Sequence, residues 1–159
     1  MSTFAQFSQN IRKRGSNIEN GAARMVRAVG KSTLKLLVYK TPVDKGVARS
    51  NWRVSIGQMT YAKIPAYSPG RHLGLSERAN ANAAIAVGFA KIEQLRPGRG
   101  NPLGSALYIT NNAPYIERLN DGYSPQAGPG YLNDCVVKAK TVIGNFRLVE
   151  GYGSDGEEE

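Results

Sequence analysis

Cysteine and histidine are nearly absent from this chain of 159 residues, which holds Cys135 and His72 and no other residue of either type. One cysteine cannot close an intramolecular disulfide, and one Cys with one His cannot supply a four-ligand zinc cage, so stapled secreted scaffolds and single-chain zinc modules are excluded. A reducing compartment is the natural reading. Long apolar runs are missing too: no stretch approaches the ~18 residues of a membrane span, so no membrane partner is expected. The first fifteen residues carry their charges after the apolar ones, which is not a secretory signal. Paired carboxylates are lacking. Glu77, Glu93, Glu117, Asp121 and Asp134 are scattered, which leaves metal-dependent phosphoryl transfer and glycoside hydrolysis without their acids. His72 follows Pro69-Gly70-Arg71 in a loop and reads as a surface or interface histidine rather than a catalytic base. Gly30-Lys31-Ser32-Thr33 ends as a phosphate loop does, but Met25 stands where the earlier glycine belongs and no strand precedes it. No cofactor, no metal and no enzymatic reaction are expected.

What the chain has is enough apolar content, 41%, for one core in one ordinary domain, and a net charge of +9 that calls for anionic partners or a neutralising assembly. Residues 1–53 hold eleven bases against Glu19 and Asp44, whereas the last ten residues hold five acids and no base. The expected division is a single domain over residues 1–149 and an acidic, flexible tail over 150–159, too poor in apolar residues to offset the entropy of ordering it. Phe4, Ile11, Ile18 and Met25 recur every seven residues beside a second row of Ala22, Val29 and Leu36, which predicts a long N-terminal helix or two shorter ones breaking near Asn20-Gly21. Its apolar stripe is a core face or an oligomer seam, with core the simpler reading. Thr41-Pro42 ends it, because a residue before proline is pushed out of the helical region. The period-two alternation at Asn51–Ile56 and the run Ala106–Thr110 predict strands within about 51–57 and 105–111. A middle helix of roughly 20 residues follows Ser76 as its N-cap, and a closing amphipathic helix spans 131–149 on Leu132, Val136, Ala139, Ile143 and Phe146, with Cys135 on its apolar side. The fold class is α+β, with a small, mostly antiparallel sheet.

Two segments carry more than composition. The first is Thr41-Pro42-Val43-Asp44-Lys45-Gly46-Val47-Ala48-Arg49-Ser50-Asn51-Trp52; the second runs from Tyr108 through Asn111-Asn112-Ala113-Pro114-Tyr115 to Asp121-Gly122-Tyr123-Ser124-Pro125-Gln126-Ala127. In the first, Pro42, Asp44 and Gly46 have turn chemistry, with Asp44 able to accept backbone hydrogen bonds, and Trp52 is a large anchor for the sheet. In the second, Tyr115, Ile116 and Leu119 are expected to pack inward. Residues 121–130 are too long and polar for a plain connector and are read as a loop that orders against a neighbouring subunit.

Together these segments resemble the tail-completion and neck proteins of tailed bacteriophages, the broad family with minor tail protein Z-like and head-tail joining members. There a helix precedes a Thr-Pro-Val-Asp-x-Gly turn with Arg-x-x-Trp, and an Asn-x-x-Pro-Tyr segment leading to Gln-Ala precedes a final helix. The likeness covers about residues 1–148. Lys45 departs from the usual Thr, Asn120-Asp121-Gly122 from the commoner acidic-x-Gly, and Gly128 interrupts the run before Pro129. The resemblance implies a structural virion protein assembled in the bacterial cytoplasm into a homo-oligomeric ring, a hexamer, at the phage neck or tail end as tail terminator or head-tail connector. Its partners would be copies of itself and the adjacent connector and tail-tube proteins. Asn112, Pro114, Tyr115, Gly122, Tyr123, Ser124, Pro125 and Gln126 are the expected neighbour contacts. Arg12, Lys13, Arg24, Arg27, Lys31 and Lys35 would face passing genomic DNA without sequence specificity, since phosphate neutralisation needs no base contact. The main alternative is a free-standing basic nucleic-acid-binding protein using residues 12–53, and a second is a hydrolase depending on His72.

Overall fold

The computed structural model describes residues 3–70, 76–96 and 106–145. His72, Phe146 and the acidic tail lie outside the described residues. The chain begins with α1, Phe4–Lys40, started by a reciprocal cap in which Thr3 Oγ1 accepts from the Gln6 amide and Gln6 Oε1 accepts from the Thr3 amide at 2.9 Å. It is one helix of 37 residues rather than two. Gly21 and Gly30 do not break it because they lie on its packed face, and a Cβ at Gly30 would run into the Leu107 side chain. The cost of Gly30 in helix propensity is offset by its close approach to Leu107 and Ile92. Thr41 ends the helix in extended conformation, as its place before proline demands.

A single turn α2, Val47–Ser50, leads into β1, Trp52–Ile56, which pairs antiparallel with β2, Leu107–Asn111, in the register Trp52 to Asn111 and Ile56 to Leu107. A two-stranded ribbon is marginal alone. It gains its stability by laying Val54, Leu107 and Ile109 on a core made by Leu34, Leu37 and Val38 of α1, Ala84, Ile85 and Ile92 of the middle helix, Trp52 and Cys135. Each large aliphatic buried there contributes about 1.5–3 kcal/mol. Helix α3 is Glu77–Ile92, then come the short α4, Ile116–Asn120, and α5, Tyr131–Gly144, which packs on α1. The architecture is α+β, as the sequence predicts.

Three local expectations are corrected. Ser76 occupies the N-cap position of α3 but takes φ +66° and makes no side-chain cap. In α5 the expected Ala139 and Cys135 are buried beside Tyr131 and Leu132 packs against the core, but Val136 and Ile143 of the expected stripe are exposed. The stripe on α1 divides: Ala22 is buried and Leu36 packs on the core, but Phe4 is 86% exposed, with Phe7, Ile11 and Ile18 also bare. From Phe4 to Asn20 every residue is exposed except the half-buried Ser8 and Glu19. Half of α1 therefore projects from the body as an arm about 25 Å long.

Candidate interaction groove

The turn after α1 is built from polar side chains that replace backbone partners. Gly46 has φ +84°, a left-handed conformation that disfavours any side chain, and a Cβ there would collide with the Asn80 amide. Asn80 lies fully buried in α3. Its Oδ1 accepts from Ser50 Oγ at 2.8 Å and the Ser68 amide at 2.9 Å, and its Nδ2 donates to the carbonyls of Ser68 and Ser76. Asn51 similarly clamps residue 64, donating to its carbonyl at 2.7 Å and accepting from its amide at 2.9 Å. Arg49 is buried, with its guanidinium donating to the carbonyls of Thr41 and Tyr39 and to Glu77 Oε1 at 2.8 Å. A cation at those terminal carbonyls favours the negative end of the α1 dipole. Trp52 Nε1 donates to Thr41 Oγ1 at 2.7 Å, which itself donates to Leu37 O. Trp52 is thus tied to the helix end as well as to the sheet.

The second signature segment closes against this turn. Gln126 donates from Nε2 to the Val43 carbonyl and accepts at Oε1 from the Val43 amide, both at 2.9 Å, so its amide pairs with one residue as a neighbouring strand would. Asn111 donates to Ala48 O at 2.8 Å from the β2 side. Between turn and segment runs an open groove of about 680 Å³, with Pro42, Asp44 and Val47 on one wall and Tyr115, Leu119 and Tyr123 on the other. Val43, Lys45, Gly46, Ala48, Ser124, Pro125 and Gln126 complete its lining. Tyr115 is not packed inward; it is 39% exposed in this groove, where partial burial and then the nearby Asp44 charge push its hydroxyl pKa up against the lowering hydrogen bond at Ala48. Leu119 faces the groove half-buried, and Ile116 packs against the core. Asp44 is exposed and takes no hydrogen bond from its turn among the described residues. Arg118 stacks on the Tyr123 ring at 5.0 Å.

The expected contact residues do not all gather there. Asn112 and Pro114 line a separate depression with Tyr61 and Glu117, and Asn112 donates to Thr60 O at 2.9 Å. The Gln126 amide is committed within its own chain rather than to a neighbour. Gly122 is exposed with φ +88°.

The basic residues also divide. Arg12 and Lys13 are exposed on the projecting arm, and Arg24 is half-buried. Arg27 donates to Leu95 O at 2.9 Å and lies 3.9 Å from Glu93, which Lys31 pairs with directly. Lys31 and Lys35 both sit over the Phe89 ring, at 5.4 and 5.8 Å. These three cations tie α1 to α3 instead of forming one open face with Arg12 and Lys13. The Lys31 hydrogen bond and charge, helped by Arg27 and Arg96, hold the Glu93 carboxyl below its ordinary pKa.

Asn51, Asn80 and the role of Arg49 were not legible beforehand. For Asn80 a signal existed: a poor helix former in an Ala-rich helix, in the row of Ala84 and Gly88. Among the described residues no helix is long and apolar enough to cross a membrane, and no three His, Cys, Asp or Glu cluster as metal ligands would. Comparison with family models, with curated proteins and with solved structures finds no match to this chain.

Proposed function

We propose that this chain is a structural virion protein that forms a ring of identical subunits, a hexamer, at the neck or tail end of a tailed bacteriophage, as a tail-completion or head-tail joining component. The observation that carries the reading is the Gln126–Val43 clamp, which draws two segments 83 residues apart into one surface groove. Those are the segments that resemble the family, and their meeting in an open apolar groove is what a docking face between subunits requires. The test is mass spectrometry and cryo-electron microscopy of purified particles. The expected result is this chain present in the virion as an axial ring; its absence from virions would overturn the reading.

The nucleic-acid alternative has Arg12, Lys13 and Arg14 on the exposed arm in its favour. It expects a stable monomer whose affinity for random DNA falls with a slope of about −0.9 per phosphate contacted as salt rises. The pairing of Arg27 and Lys31 with Glu93 reduces the cations available to it.

A further inference from the structure

The arm and the groove stand at opposite ends of one helix. The bare stripe of Phe4, Phe7, Ile11 and Ile18 occupies the first half of α1, and the groove is walled by the turn that directly follows its last residue. From Ile11 to Lys40 is about 44 Å along a continuous helix, so the stripe cannot reach the groove of its own chain. We infer that the arm of one copy docks in the Pro42–Tyr123 groove of the next, an inference that rests on the ring reading above and names the contact that builds it.

Charge selects this occupant over a pairing of two arms. Residues 3–20 carry Arg12, Lys13 and Arg14 against Glu19. Two such arms laid side by side would bring the basic clusters together, and like charges resist that. The groove's lining holds Asp44 against Lys45 and is neutral, so a basic arm meets no net repulsion there. A basic amphipathic helix with an apolar face fits an apolar groove of no net charge in the helix-in-groove manner. Symmetry agrees. Arm pairing is isologous and stops at a dimer, whereas an arm in the next subunit's groove is a head-to-tail contact that closes a ring.

The test uses the full chain and two exposed sites: Ile11→Asp on the arm, and Tyr123→Arg in the groove, with Val47→Arg as a second groove variant. Circular dichroism establishes that each folds, and light scattering gives the mass. The expected result is a multimeric wild type, monomeric single variants, and an equimolar mixture of Ile11→Asp with Tyr123→Arg that forms a dimer and grows no further, since one intact interface remains. Wild-type mass retained by either class of variant, a mixture that stays monomeric, or a wild type monomeric at about 100 μM would each overturn this contact. The virion measurement judges the ring itself, so a ring present in particles and untouched by these variants would leave that reading standing without this interface.

Discussion

Gly46 is where the turn admits least variation. Its φ of +84° costs about 1–2 kcal/mol for an L side chain, and the Asn80 amide fills the space a Cβ would need. Gly46→Ala is expected to lower unfolding free energy by about 2 kcal/mol or more in urea titrations, since the strain and the collision act together. Gln126 acts more locally. Gln126→Ala removes both hydrogen bonds to Val43 and should raise exchange of the Val43 amide about tenfold, equivalent to ~1.4 kcal/mol, while the core amides of Leu34 and Ile92 keep their protection. At this scale the sequence was legible where backbone chemistry is local: Gly46 and the pre-proline Thr41 declare their conformations by residue type. It was illegible where a side chain serves distant backbone, as Asn80, Asn51 and Gln126 do, because an amide carries no mark of which carbonyl it will meet.

Among the elements, the contact of α1 with α3 is the one that acid should loosen. Glu93 has its pKa depressed in the fold, so its contribution is fully present above the ordinary value of 4.5 and is lost as pH falls through the lowered one. Melting temperature is expected to drop modestly from pH 5 to 3, and less in Glu93→Gln; equal drops would remove Glu93 as the cause. The effect stays small because Glu93 is 56% exposed. The arm gives the opposite expectation: deleting residues 3–18 should leave the melting temperature of the remainder within a few degrees, because nothing from Phe4 to Asn20 is buried. The first and last helices were readable from period and the middle one from its Ala-rich composition, while β1 appears where alternation puts it and β2 on the run Ala106–Thr110. Which part of the α1 stripe is covered was not readable, since the heptad pattern is the same in Phe4–Ile18 as beyond it, and burial depends on where α3 and β2 stop. The exposure of Val136 on α5 has the same origin: Cys135 and Val136 are both apolar, and only packing against α1 chooses between them.

At the scale of the whole molecule, α1 behaves as an axle with its two halves keyed to one another. Each residue added to a helix rotates what precedes it by about 100° and advances it by 1.5 Å. One residue inserted at Gly15, which has open space around it, would swing Phe4, Phe7 and Ile11 out of line with the body while disturbing no packed atom. Seven residues inserted there bring the same side chains back to within about 20° of their original heading and lengthen the reach by ~10.5 Å. Both insertions should melt as the parent does; on the proposed arm-in-groove contact, sedimentation is expected to find the first dispersed and the second assembled at a different size. The angular phase along α1 then sets which way the bare stripe faces, independently of the stability of the packed half.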